Sequence, residues 1–305
     1  MSAKPVLIAG PTASGKSALA LQIAEATGGA IINADSQQIY SGWRVLSARP
    51  SAEEEARAPH YLYGRVAMDA DYSTGHWLRD VEKVLTECTR DGLRPIIAGG
   101  TGLYFKALSE GLAPIPPVPP EVRAAGEAEL KRLGREAFAS TFAERDAETA
   151  AKIDLENPRR VLRAWEVLEA SGTGLAEWQA RTPPPLLRVE NCETFALVPP
   201  RDWLYARCEA RFDQMLADGA LEEARAVIAM ELPTAAPSLK AVGAPELMAH
   251  LRGDMTLEDA SDAAKMETRR YAKRQSTWIR NQMSAWTKLD PSEPDAFSRL
   301  TQIDT

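Results

Sequence analysis

The sequence predicts an α/β protein: a parallel sheet flanked by helices, with a small all-helical domain inserted in it. Three observations carry that expectation. Strand and helix patterns alternate from Val6 to the helix after Gly102, a glycine-rich loop joins the first strand to the first helix, and two proline clusters bracket a charged helical block. The loop makes the class P-loop NTPase-like. A chain of 305 residues is long enough for one large domain carrying a smaller one.

Val6-Leu7-Ile8-Ala9 is a short apolar run ending at Gly10, the pattern of a strand covered on both faces. A helix is expected from about Lys16 to Ala26 and a second strand from Ala30 to Asn33. Ser73 is a suitable N-cap for another helix, because Trp77, Val81, Val84, Leu85 and Cys88 recur at spacings of three and four and share a face; Gly92 stops it. Pro95 to Ala98 gives the next strand, running into Gly99-Gly100-Thr101-Gly102 and a further helix. Ala113 to Pro120 holds five prolines, suits neither helix interior nor central strand, and reads as a stiff linker. From Glu121 to about Gln179 the pattern is helical and charged, closing at Pro183-Pro184-Pro185. Thr194 to Val198 returns to the sheet, and helices follow to about Asn281. The expected division is a core of residues 1–112 and 190–305 and an inserted helical domain of residues 121–182.

With 45% apolar and 26% charged residues the composition is that of a soluble globular protein. No stretch approaches the roughly 20 apolar residues that span a bilayer, and the first apolar run is too short for a secretory signal. Cys88, Cys192 and Cys208 form no C-x-x-C pair and fit a reducing cytoplasm, so a cytoplasmic protein without membrane partners is expected. His60, His76 and His250 are too scattered for a zinc site. The net charge of −7 advertises no overall polyanion affinity, yet residues 260–281 hold six Lys or Arg against two Asp or Glu. Lys265, Arg269 and Lys273 stand at spacings of four, with Arg280 seven further on, a candidate polyanion strip.

Gly10-Pro11-Thr12-Ala13-Ser14-Gly15-Lys16-Ser17 satisfies G-x-x-x-x-G-K-[ST] in full, after a strand and before a helix. Glycines let successive amides face one point, the helix N-terminus adds partial positive charge, and Lys16 adds a full one. Ser17 is the candidate ligand for Mg2+. The loop binds a di- or triphosphate, and ATP or another nucleotide is its usual guest. Asp35, at the end of the second strand, is a candidate catalytic carboxylate or a turn residue, and Thr101 a candidate donor or a helix cap. The strand 95–98 ends in Gly-Gly-Thr rather than in a carboxylate, which argues against ordinary phosphoryl transfer.

Five segments together resemble the tRNA dimethylallyltransferase family: GPTASGKS at 10–17, NADSQQIY at 33–40, IIAGGTGLY at 96–104, NPRRVLRAWEV at 157–167 and RRYAKRQSTWIR at 269–280. The resemblance implies transfer of the five-carbon group of dimethylallyl diphosphate to the exocyclic N6 amine of the adenine 3′-adjacent to the anticodon, with release of pyrophosphate. The diphosphate would lie against Gly10, Pro11, Thr12, Ala13, Ser14, Gly15, Lys16 and Ser17, with Arg207 and Arg211 beside it. Lys16, Asp35 and Thr101 would act in catalysis, Asp35 accepting the proton of a poorly nucleophilic amine. The tRNA, through its anticodon stem-loop, would be contacted by Asp35, Ser36, Gln37, Gln38, Thr101 and Arg123, and by the run Arg159-Arg160-Val161-Leu162-Arg163. A base pulled from that loop into a pocket is the expected access route. The bare residues leave alternatives: Gln37 and Gln38 as a polar turn, the insert arginines as a solvated face paired with Glu156 or Glu166, and Arg207 or Arg211 in a surface pair with Glu209 or Asp213. Two segments depart from the family pattern, Gly243-Ala244-Pro245-Glu246 and His60-Tyr61-Leu62. A monomer is the expectation. Rival readings are an isopentenyltransferase acting on free adenine nucleotides, a P-loop kinase, and an RNA-binding module holding a structural nucleotide.

Overall fold

The computed structural model describes residues 3–294, 296 and 297. In chain order its strands are β1 (Val6–Ala9), β2 (Gly29–Asn33), β3 (His60–Tyr61), β4 (Arg94–Gly99), β5 (Glu193–Leu197) and β6 (Thr287–Leu289). The helices are α1 (Lys16–Thr27), α2 (Ala52–Arg57), α3 (Thr74–Asp91), α4 (Gly102–Glu110), α5 (Pro120–Leu133), α6 (Arg135–Arg145), α7 (Ala147–Ala150), α8 (Pro158–Ser171), α9 (Leu175–Ala180), α10 (Arg201–Ala217), α11 (Ala220–Ile228), α12 (Ala244–Arg252) and α13 (Leu257–Gln282). The strands form one sheet in the order β3-β2-β4-β1-β5-β6, with every pairing parallel. That is the doubly covered parallel sheet expected from the sequence.

The central strands show why. All four residues of β1 and all five of β2 are buried, because helices cover both faces of a parallel sheet. Val6, Leu7 and Ile8 are each fully buried, and each such side chain contributes about 1.5–3 kcal/mol of transfer free energy. Helix α3 buries Trp77, Val81, Val84 and Cys88, begins at a Ser73 capping box, and ends at Gly92 in the left-handed region. The sequence reading does not anticipate β3, β6 or α2. The two strands are too short to display a period, and β6 carries Lys288 at its centre. Helix α2 was legible in principle, since Ser51 and Glu54 make a complete capping box.

The chain divides into two compact units, residues 1–109 with 187–305, and residues 110–186. The second unit is all helical, α5 to α9, around Phe138, Phe142, Val161 and Ala164, with Leu162 and Trp165 packed against them. Both proline clusters lie inside its ends. Pro120 stands in the first turn of α5, where its missing N–H costs nothing, so the helix starts one residue before the expected Glu121. Among the described residues no helix is long and apolar enough to cross a membrane.

Candidate active site

Strand order assembles the site. Because β4 lies between β2 and β1, the loops leaving the C-terminal ends of these three neighbours emerge side by side, the usual ligand position in an open α/β sheet. These loops are residues 10–17, 34–38 and 99–102. Backbone bonds stitch them together: Gly10 N donates to Gly99 O at 3.2 Å, Ala34 N to Ala98 O at 2.8 Å, and Thr101 N to Ala34 O at 3.1 Å. Three motifs scattered over ninety-odd residues thus occupy one edge.

Helix α1 opens at Gly15 (φ 91°), preceded by Ala13 in the left-handed region (φ 62°), a conformation that costs a non-glycine residue energy and that the loop's curl requires. Lys16 is buried, and its Nζ donates to Pro11 O at 3.3 Å. Burial lowers its pKa from 10.5 to about 8; the Asp35 carboxylate opposes this and the Arg211 guanidinium adds to it. Ser17 is exposed on the cleft formed by Ala13, Gly15, Lys16, Arg207 and Arg211. Arg207 donates from Nε to Ala13 O at 2.9 Å and stacks over Trp203 at 4.7 Å. Arg211 is held below the usual guanidinium pKa, chiefly by loss of solvent. Neither arginine takes the surface pair left open by the sequence: Glu209 pairs with Arg269, and Asp213 with Lys265.

Beyond the loop lies a cavity whose lining includes the polar Thr12, Asp35, Gln37 and Arg211 and the apolar Leu46, Phe212, Met215 and Val242. Asp35 is almost wholly buried in a tight turn: its N–H donates to Asn33 Oδ1 at 2.8 Å and its Oδ1 accepts from Gln37 N at 2.9 Å. Asn33 braces the turn through Nδ2, bonded to the Asp35 and Leu62 carbonyls. Tyr63, Tyr104 and Tyr271 have phenol pKa values raised first by burial and then by the Asp35 charge, so their hydroxyls stay protonated. Thr101 directly precedes α4 and its carbonyl accepts from Tyr104 N at 2.9 Å, while its Oγ1 accepts from Ser36 N at 2.9 Å and donates to Ser36 Oγ at 3.3 Å, tying the third loop to the second. Gln38 is buried and donates both amide hydrogens, to Ser47 O and Ala48 O at 2.9 Å each, whereas Gln37 keeps a buried Oε1 with no partner among the described residues. The loop bearing Leu46 and Ser47 is gripped from α11: the Glu223 carboxylate accepts from the amides of Arg44, Val45 and Leu46.

Gln275, which the sequence does not single out, and the aromatic Trp278 dock α13 onto this edge. Gln275 is buried, accepts from Thr12 N at 2.8 Å and donates to Gly100 O at 3.1 Å. Trp278, one turn on, lies over Gly102 so closely that a Cβ there would stand 2.0 Å from its Nε1. Both belong to the fifth motif segment, but contacts across more than 170 residues leave no local periodicity to read. The expected polyanion strip on α13 needs correction at its first two members, because Lys265 (2.6 Å to Asp213) and Arg269 turn onto acidic residues of α10; Lys273 and Arg280 remain exposed. Among the described residues no group of three or more His, Cys, Asp or Glu is placed to hold a metal ion.

In the second unit α8 is capped by Asn157, whose side chain accepts from Arg159 N and Arg160 N, with Pro158 in the first turn. Arg159, Arg160 and Arg163 are exposed, and Arg163 pairs with Glu166 at 3.3 Å. Val161 is buried in the unit's core and Leu162 packs against it, so the helical period separates them from the arginines. Arg123 is exposed on α5.

Residues 38–282 match the family described as IPP transferase. The chain is 57% identical over 288 residues to the tRNA dimethylallyltransferase of Cereibacter sphaeroides (strain KD131), covering 94% of this chain and 89% of the relative. It is similar to the full-length tRNA isopentenylpyrophosphate transferase of Bacillus halodurans (31% identity, TM-score 0.70, covering 98% of this chain and 94% of that one). It also resembles a eukaryotic dimethylallyltransferase acting on tRNA (25% identity, TM-score 0.81, covering 100% of this chain and 76% of that one).

Proposed function

The chain belongs to the IPP transferase family, the tRNA dimethylallyltransferases, and from that premise we propose how it prenylates tRNA. The donor is dimethylallyl diphosphate and the acceptor the N6 amine of the adenine 3′-adjacent to the anticodon. A bond forms between N6 and the donor's C1 while the C1–O bond breaks, pyrophosphate leaves, and the amine proton passes to the Asp35 carboxylate. One observation carries this reading: Thr12 of the phosphate loop, Asp35 and the apolar Leu46, Phe212, Met215 and Val242 line one cavity, and Arg211 lines both that cavity and the Lys16 cleft.

Residues 10–17 hold the diphosphate, with Lys16, Arg207 and Arg211 offsetting the charge that grows on the leaving group. Leu46, Phe212, Met215 and Val242 suit the five-carbon group and keep water from an allylic centre. Magnesium fits the donor set: Ser17 offers a hydroxyl and Glu54 a carboxylate at the cleft, and with no group of three or more acidic, His or Cys residues among the described residues the ion would also rely on diphosphate oxygens and water. When bound it supplies further charge neutralisation. On the acceptor side the unpaired Gln37 Oε1 suits a base edge, and Ser36 and Thr101 fix the turn that carries Asp35. The exposed Arg159, Arg160 and Arg163, with Arg123, offer the second unit's cations to RNA phosphates.

The test mixes protein, magnesium and carbon-labelled dimethylallyl diphosphate with an anticodon stem-loop, with AMP, or with no acceptor. Label in the stem-loop alone is expected. Label in AMP alone would instead make the protein an isopentenyltransferase of free nucleotides.

A further inference from the structure

The leaving-group loop and the base-bearing turn belong to different strands, and catalysis needs them in fixed register. A chain of hydrogen bonds runs between them. Thr12 in the phosphate loop bonds to Gln275, Gln275 bonds to Gly100, and the next residue, Thr101, clasps Ser36 beside Asp35. Gln275 is 5% exposed and uses both ends of its amide, so its side chain has one orientation that satisfies both partners. Gly100 is part of the same fit: a Cβ there would stand 2.1 Å from Gln275 Nε2. Trp278 over Gly102 repeats the arrangement one turn along α13.

We propose that Gln275 is a positioning residue that locks the diphosphate loop to the turn carrying Thr101, and through it Asp35, so that donor carbon and acceptor amine meet in line. The proposal rests on the prenyl-transfer reading above. Gln275 touches neither reacting atom; it acts through Thr12 and Gly100. Its loss therefore spares binding and slows the chemical step.

Three variants separate its two bonds. Gln275→Glu keeps an acceptor for Thr12 N but sets an oxygen against Gly100 O, Gln275→Met removes both bonds at similar length, and Gly100→Ala pushes the amide away from outside. Misalignment of roughly an ångström costs about 10²-fold in rate, so Gln275→Met and Gly100→Ala are expected to lower kcat by about that factor, with the Kd for dimethylallyl diphosphate changed less than about threefold. Gln275→Glu should fall between Gln275→Met and the wild type. The wild-type chain supplies a measurement independent of folding defects: the Thr12 amide should exchange slowly with solvent, and Gln275→Met should release it. Wild-type kcat in all three variants, a raised Kd with unchanged kcat, or a fast-exchanging Thr12 amide in the wild type would each overturn the proposal. A wild-type enzyme that transfers no prenyl group would overturn the underlying reading instead, and the exchange measurement would still decide whether the lock exists.

Discussion

Lys16 is a cation held where water is scarce, and that makes its charge conditional. Burial brings its pKa down to about 8, so the free enzyme carries the ammonium below that pH and loses it as pH rises through it, well before the ordinary lysine value of 10.5. Affinity for dimethylallyl diphosphate is therefore expected to weaken above pH 8 by up to about tenfold per unit, and Lys16→Arg to flatten that slope; calorimetry across pH 7 to 10 measures both. Asp35 is expected to matter for rate rather than binding: Asp35→Asn should cost about 10²–10⁴-fold in single-turnover rate while stem-loop affinity holds. A near-normal rate would remove it from the mechanism. Lys16, Asp35 and Thr101 were legible because each sits inside a local motif at the end of a strand. Gln275 and Glu223 were not, because nothing near them in sequence announces that Thr12, Gly100 and the amides of residues 44–46 need partners.

At the level of elements, the site depends on loops that other elements hold down. Glu223 on α11 satisfies three amides of the loop that lines the cavity. Glu223→Ala leaves those donors to water or to nothing, and is expected to lower stability by about 1–3 kcal/mol, with faster hydrogen exchange confined first to residues 44–46. The glycine turn after β4 offers a sharper contrast. A Cβ at Gly99 would lie 2.1 Å from the Ala34 carbonyl, rigid backbone, whereas at Gly100 it would meet the end of a side chain. Gly99→Ala should thus destabilise by about 1–3 kcal/mol in chemical denaturation and Gly100→Ala by distinctly less. Strands β1, β2, β4 and β5 and helices α1 and α3 were readable from apolar runs, spacing and caps. The edge strands β3 and β6 were not, since two or three residues cannot express alternation and pairing alone defines them.

Across the whole molecule charge is divided by location. The net −7 conceals cations with different tasks: Lys265 and Arg269 fasten α13 to α10, while Arg159, Arg160 and Arg163 stay exposed on α8. Counting charges along the chain finds such clusters but does not distinguish fastening from display, because the partners on α10 lie more than fifty residues away. Replacing the three α8 arginines with alanine is expected to weaken stem-loop binding and to reduce its salt slope by about 0.7 for each phosphate no longer neutralised, with kcat at saturating RNA retained; binding isotherms at several salt concentrations check it. An unaltered slope would return these residues to the solvated face. If the phosphate loop grips a departing pyrophosphate, carbon rather than phosphorus is the atom attacked. The most direct test is to count pyrophosphate released against prenylated adenosine formed by the wild-type enzyme, with ATP alone as the parallel substrate. One pyrophosphate per modified adenosine, and no transfer of the terminal phosphate of ATP, is the predicted result; phosphate passed from ATP while the prenyl donor stays intact would contradict it.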